Sequence, residues 1–209
     1  ADPLTGTWTE KGQIKTGWES FSLDATILQH KGKLYYIWAQ EDRNVNYESH
    51  SNIYIAEMEN PWTLRTKPVM LTQPLLDWEI KIFWVNEGPS ILKKNGKIFL
   101  TYSASATDEN YCMGMLVVNE NDDLLDPKSW KKLEKPVFKT SYKNKQYGPG
   151  HNSFTVSEDG MKDLLVYHAR NYTDIEGDPL YDPNRHTRVQ VIEWDKDGFP
   201  IFGEPVMDT

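Results

Sequence analysis

The stretch VNEGPSILKKNGKIFLTYSAS, Val85 to Ser105, decides the fold. An apolar run leads into a polar turn at Gly96, and a second run rich in aromatic and β-branched residues leads out, which is the sequence form of a β-hairpin. Two other stretches repeat it: SLDATILQHKGKLYYIWAQ from Ser22 and PGHNSFTVSEDGMKDLLVYHA from Pro149. Gly32, Gly96 and Gly160 keep the copies in step, because 96 less 32 and 160 less 96 are both 64 residues. The starts of the three repeats carry Asp24, Glu87 and His151.

A repeated unit of this kind cannot bury its apolar face alone and must stack on its neighbours. Behind each hairpin lies a third candidate strand, Asn52 to Met58, Cys112 to Val118 and Arg188 to Trp194. A fourth opens at Trp62 and Trp130 in the first two units and runs from Phe199 to Val206, without the tryptophan, in the third. Four antiparallel strands repeated radially describe a β-propeller blade. The units span 15–72, 73–140 and 141–209. The segment 1–14, which includes DPLTGTWTEKGQI, resembles the fourth strands and reads as the outer strand of a preceding blade. Three blades and an orphan strand fall short of the roughly 4 to 8 blades of a propeller. The expectation is an all-β, single-domain partial β-propeller, the C-terminal part of a larger one. A missing N-terminal portion or a second copy would complete it.

Composition narrows the partners. The aromatic content of 12%, with 8 Trp and 11 Tyr, suits sugar-stacking surfaces as well as packing between blades. A net charge of −8 opposes nucleic acid, whose recognition uses basic patches. No run reaches the ~18 apolar residues of a membrane span. The single cysteine, Cys112, excludes an internal disulfide. Localisation is left open between secreted and cytoplasmic.

The motifs SLDAT around Asp24, NEGPSIL around Glu87, SASATDENYCMGML from Ser103 to Leu116 and YGPGHNSFTVSEDG from Tyr147 to Gly160 occur in order. Together they resemble glycoside hydrolase family 43, nearest its α-L-arabinofuranosidase branch. The resemblance implies a five-bladed β-propeller that hydrolyses arabinosides and xylosides with inversion, using three carboxylates. It implies Glu87 as general acid and Asp24 as the carboxylate that tunes it. An inverting mechanism needs one carboxyl group still protonated at working pH, and a neighbouring negative charge raises its pKa.

The family's aspartate base has no counterpart here. Asp2, in the Asp2-Pro3 pair, precedes a rim strand and is rejected, so the chain alone is expected to be inactive or nearly so. The resemblance also places His151 near an axial calcium or similar ion, linked through water. No cofactor is required for the chemistry, and the other reading of His151 is a ring satisfied by backbone groups. Arg188 falls where the family presents an arginine to the sugar, with a salt bridge to an acidic residue as its alternative and Arg185 as a weaker candidate. Trp84 and Phe21 precede the acid and tuning positions and could wall the sugar ring; Cys112 and Tyr147 are further pocket candidates, all open to core or rim packing.

The expected activity is release of terminal α-L-arabinofuranosyl units from arabinan or arabinoxylan, the partners being arabinose- or xylose-containing oligosaccharides and polysaccharides. A β-xylosidase of the same family is the nearest rival, and a non-catalytic glycan-binding propeller is the alternative outside the enzymes. A WD or Kelch interaction propeller would repeat every ~40 to 50 residues, which the spacing of 64 opposes.

Overall fold

The computed structural model describes residues 2, 4–42 and 50–208. Ala1, Pro3 of the Asp2-Pro3 pair, residues 43–49 of the first unit and Thr209 of the third lie outside the described residues.

The three repeats form three antiparallel sheets. The first contains β1 (Ser22–His30), β2 (Lys33–Gln40), β3 (Asn52–Asn60), β4 (Thr63–Leu64) and β5 (Val69–Thr72), with both β4 and β5 paired to β3. The second runs in order β6 (Asn86–Lys94), β7 (Lys97–Ala104), β8 (Cys112–Asn119) and β9 (Lys131–Lys132). The third is β10 (Tyr147–Val156), β11 (Asp163–Arg170) and β12 (His186–Val191). The glycines that set the sequence register sit in the hairpin turns. Lys31-Gly32 and Asn95-Gly96 are two-residue loops with both φ values positive, 48° and 75° and then 55° and 71°. That geometry matches the twist of the flanking strands and favours glycine at the second position.

Alternation along the second sheet assembles the core. Ile98, Leu100 and Tyr102 of β7 face the first sheet, where they meet Ile37, Ile53 and Ile55. Phe99 of β7 and Met113 and Met115 of β8 face the third sheet and pack against Leu165 and Tyr167. Successive strand residues point to opposite faces, so one sheet glues its two neighbours together. Each such side chain, at most 2% exposed, contributes roughly 1.5–3 kcal/mol of burial. This stacking brings the first strands side by side, β1 beside β6 and β6 beside β10.

The two ends of the chain differ from the repeat pattern. The segment read as an outer strand, 1–14, contains no strand among its described residues, and Leu4 and Trp8 are 90% and 78% exposed. An outer strand of a preceding blade would pair with that blade's third strand, and the sheet that follows is complete without it, since β3 is paired with β4 and β5. The third unit also departs from four strands in one sheet. Its third strand stops at Val191, and β13 (Glu193–Trp194) pairs with β14 (Pro200–Ile201) in a separate two-stranded sheet. The ladder runs out at Ile192: its amide bonds to the carbonyl of Asp163 at 2.9 Å, and Asp163 is the first residue of β11, so no further β11 residue is left to pair.

Candidate active site

Each first strand is interrupted near its start. The register slips between Leu23 and Thr26, between Glu87 and Ser90, and between Gly150 and Ser153. At these points the backbone turns left-handed, at Asp24 (φ 54°), Gly88 (φ 56°) and His151 (φ 46°). Bulges of this kind re-aim side chains next to functional sites. Glu87 therefore stands one residue ahead of the bend in its own repeat, whereas Asp24 and His151 stand on theirs.

The bends make the three side chains converge. One ligand-capable atom from each of Asp24, Glu87 and His151 lies within 4.8 Å of the others. Asp24 Oδ2 accepts the Gly88 N–H at 3.0 Å, and its Oδ1 is 3.7 Å from His151 Nε2. Glu87 Oε1 accepts the Tyr111 hydroxyl at 2.7 Å. Burial pushes the Glu87 carboxyl above its ordinary pKa and the Asp24 charge adds to the rise; the Tyr111 hydrogen bond, His151 and Arg185 oppose it. A carboxyl group raised in this way keeps its proton to higher pH and can deliver it.

Behind Glu87 lies a stack of rings. Tyr111 is fully buried and lies over His168 at 5.5 Å and 11°, and His168 in turn faces His151 at 6.4 Å and 30°. Burial first, then the positive groups around it, Arg185 foremost, hold His168 down to about 3, so its ring is neutral.

As direct ligands the three side chains are too few for calcium, and an ion linked to His151 through water would draw its oxygens from that water. Calcium takes about six to eight oxygen ligands, and the cluster offers two carboxylates and an imidazole. One of those carboxylates is biased toward its protonated form, so we derive no step through a metal.

The model for glycosyl hydrolases family 43 matches residues 1–200. The chain belongs to this family. It is 57% identical over 208 residues to an extracellular exo-α-(1→5)-L-arabinofuranosidase of Streptomyces avermitilis, covering 100% of this chain and 43% of that protein. Identity to α-L-arabinofuranosidase 43 of Humicola insolens is 54% over 208 residues, with the same two coverages. Among solved structures, the α-L-arabinofuranosidase from Lactobacillus brevis superposes with a TM-score of 0.93 at 66% identity, covering 96% of this chain and 61% of that one. The chain thus spans 43% of the length of these two curated relatives.

Other candidate residues of this family 43 chain divide between pocket and framework. Arg188 is not free to meet a sugar: its Nε and Nη2 pair with the two Asp208 oxygens at 3.1 and 3.0 Å, and its Nη1 bonds to the Ala169 and His186 carbonyls. The salt-bridge alternative is the one realised. Arg185 instead lines an open cavity with His151, His168, Leu180, Tyr181 and Asp182. Cys112 is a core residue at 4% exposure, its thiol pushed up to about 12 by burial and its Sγ 3.9 Å from the Trp78 carbonyl. It sits on β8, two strands out from the β6 that carries Glu87. Tyr147 packs edge-on against Tyr142, and Trp84 is half-buried with its carbonyl accepting the His50 amide. Phe21 is 65% exposed just ahead of β1.

Sequence reasoning passed over three groups that build the site. Tyr111 lay unremarked inside the DENYCMGML motif and His168 inside the third repeat. The third is Glu79, which is fully buried and accepts from Tyr102 (2.7 Å), Lys132 (2.7 Å), Asn86 (3.2 Å) and the Leu75 and Leu76 amides. By holding Asn86, Glu79 anchors the residue next to the acid. Partners on every side mark Glu79 as framework, and only its position seven residues before the start of β6 could have drawn notice.

Proposed function

We propose that this chain carries the acid half of an inverting glycosidase that releases terminal α-L-arabinofuranosyl units from arabinan or arabinoxylan. The observation that carries the reading is the convergence of Asp24 and Glu87, with Glu87 biased toward its protonated form by burial and by the Asp24 charge. In this reading Glu87 protonates the departing glycosidic oxygen and Asp24 sustains its pKa. The arabinofuranosyl preference is supported by the names of the relatives at 57% and 54% identity.

An inverting enzyme also needs a carboxylate base about 6.5–9.5 Å from the acid, on the opposite face of the sugar. Among the described residues, the carboxylates that gather at the bends are Asp24 and Glu87. The family's aspartate base has no counterpart among the motifs of this sequence, and the chain covers 43% of two curated relatives, so we infer that the base comes from polypeptide that those relatives have in addition. In the same reading the three stacked sheets, with first strands side by side, are successive blades of a partial five-bladed propeller, and the axis runs past Asp24, Glu87 and His151.

The test is hydrolysis of aryl arabinofuranoside and aryl xyloside by this chain and by a polypeptide extended to the length of its relatives. The extended form should release arabinose, and the chain alone should be at least about a hundredfold slower, the typical contribution of one acid-base group. Equal turnover by both would refute the outside base, and faster release of xylose would make the enzyme a β-xylosidase.

A further inference from the structure

A line of polar groups runs from the third sheet to Glu87. The His151 backbone N–H donates to Ser103 Oγ at 2.7 Å. The Tyr111 hydroxyl donates to Glu87 Oε1 at 2.7 Å, and the Ser103 hydroxyl acts on the phenol in the sense a donor would, opposing the rise of its pKa. The order of donation follows from what each group can do. An amide N–H only donates, so it takes a lone pair of Ser103. Ser103 is fully buried, so its own proton needs an acceptor, and the phenol oxygen beside it is one. With that lone pair filled, the single Tyr111 proton points to Glu87 Oε1.

We propose that Tyr111 is a positioning residue for the general acid: it pins Glu87 Oε1 as an acceptor, so the transferable proton is carried on Oε2. The inference rests on the reading of Glu87 as acid. In the step itself the proton moves from Oε2 to the leaving oxygen as the glycosidic bond to the anomeric carbon breaks. Water supplies the new hydroxyl at that carbon and gives its proton to the base. The negative charge left on Glu87 then meets a donor already in place, an interaction that strengthens as the charge develops.

The YGPGHN motif explains how the phenol is held. A Cβ on Gly150 would stand 2.5 Å from Tyr111 Cε1 and 3.0 Å from Ser103 Oγ, and one on Gly148 would stand 2.3 Å from the Asp108 carbonyl oxygen. Only glycine at these places lets β10 close over the ring, and His168 stacks on the ring at 5.5 Å. The charged and titratable groups that face Glu87 are Asp24 from β1, His151 from β10 and Arg185 from the loop before β12.

The test is Tyr111→Phe in the full-length enzyme, with arabinobiose and dinitrophenyl arabinofuranoside as substrates. The disaccharide has a poor leaving group that must be protonated; dinitrophenolate leaves without a proton. We expect kcat to fall about tenfold or more on arabinobiose and to stay within about twofold on the dinitrophenyl substrate. Equal losses on both would overturn the proposal. Independently, the Glu87 carboxyl signal, followed by carbon NMR and assigned with Glu87→Gln, should titrate at higher pH in Tyr111→Phe; an unmoved midpoint would also overturn it. The NMR readout needs no turnover, so failure of the hydrolase reading, seen as no cleavage of either substrate by the unaltered enzyme, is separate from failure of the Tyr111 contact. Should Tyr111→Phe not fold, Ser103→Ala removes the proton that orients the phenol. It should produce the same leaving-group bias to a smaller degree, and its absence would count against the proposal.

Discussion

The Asp24 carboxylate accepts a hydrogen bond from the Gly88 amide at 3.0 Å, which ties Asp24 to the backbone directly after Glu87. The two carboxylates thus belong to one rigid arrangement across two sheets. Their mutual repulsion is held at constant distance, and that is what makes it useful for raising a pKa.

Asp24→Asn keeps an oxygen for the Gly88 amide and removes the charge. Because the Asp24 charge raises the Glu87 pKa, the acid should ionise at lower pH in the variant. The alkaline limb of kcat/KM in the full-length enzyme should move toward acid, with a loss on the order of tenfold or more at neutral pH. An unmoved limb would separate Asp24 from the acid.

Glu87→Gln bears on stability as well as turnover. A carboxyl raised in the folded state binds its proton more tightly there than when unfolded. Its stabilising contribution is complete below the unfolded pKa and is lost as pH rises through the folded value. The glutamine variant has no such loss. Urea midpoints should therefore show Glu87→Gln gaining on the parent as pH rises above the ordinary glutamate range, and no gain with pH would contradict the raised pKa.

Gly150→Ala places a methyl group against the Tyr111 ring and Ser103 Oγ. Overpacking of this kind costs about 1–3 kcal/mol. Chemical denaturation should register that loss, accompanied by a fall in turnover because the ring that meets Glu87 is displaced. Stability equal to the parent would mean that the Tyr111 site is roomier than described.

Arg185→Ala and Arg188→Ala should behave differently. The positive charge of Arg185 lowers the Glu87 pKa, so its removal should shift the alkaline limb upward. Arg188 is tied to Asp208, which is 46% exposed. Its loss should cost up to about 1 kcal/mol of stability and leave the pH profile in place. Matching profiles for the two variants would refute the distinction.

Much of this was legible in the chain because it was written three times. Gly32 and Gly96 marked hairpin turns that only left-handed residues satisfy, and the strand alternation followed from them. Asp24 and Glu87 stood out because recurrence at matching strand starts is rare without a shared destination. Tyr111 was not legible, since its contact with Glu87 crosses from the loop before β8 to β6 and leaves no periodic trace. Arg185 and Arg188 are three residues apart, and only the fold-back of Asp208 decides which of them is occupied. The 1–14 segment resembles its fourth-strand counterparts around Trp62 and Trp130, but a strand also requires a partner edge, which local sequence does not encode.

The left-handed bends at Asp24, Gly88 and His151 put three different amino acids at one backbone position copied three times. A framework of that design separates architecture from chemistry: exchanging a single residue at a bend alters what the mouth of the fold can do while the strands behind it stay as they are. Duplication followed by point replacement is then a short evolutionary route to new specificities.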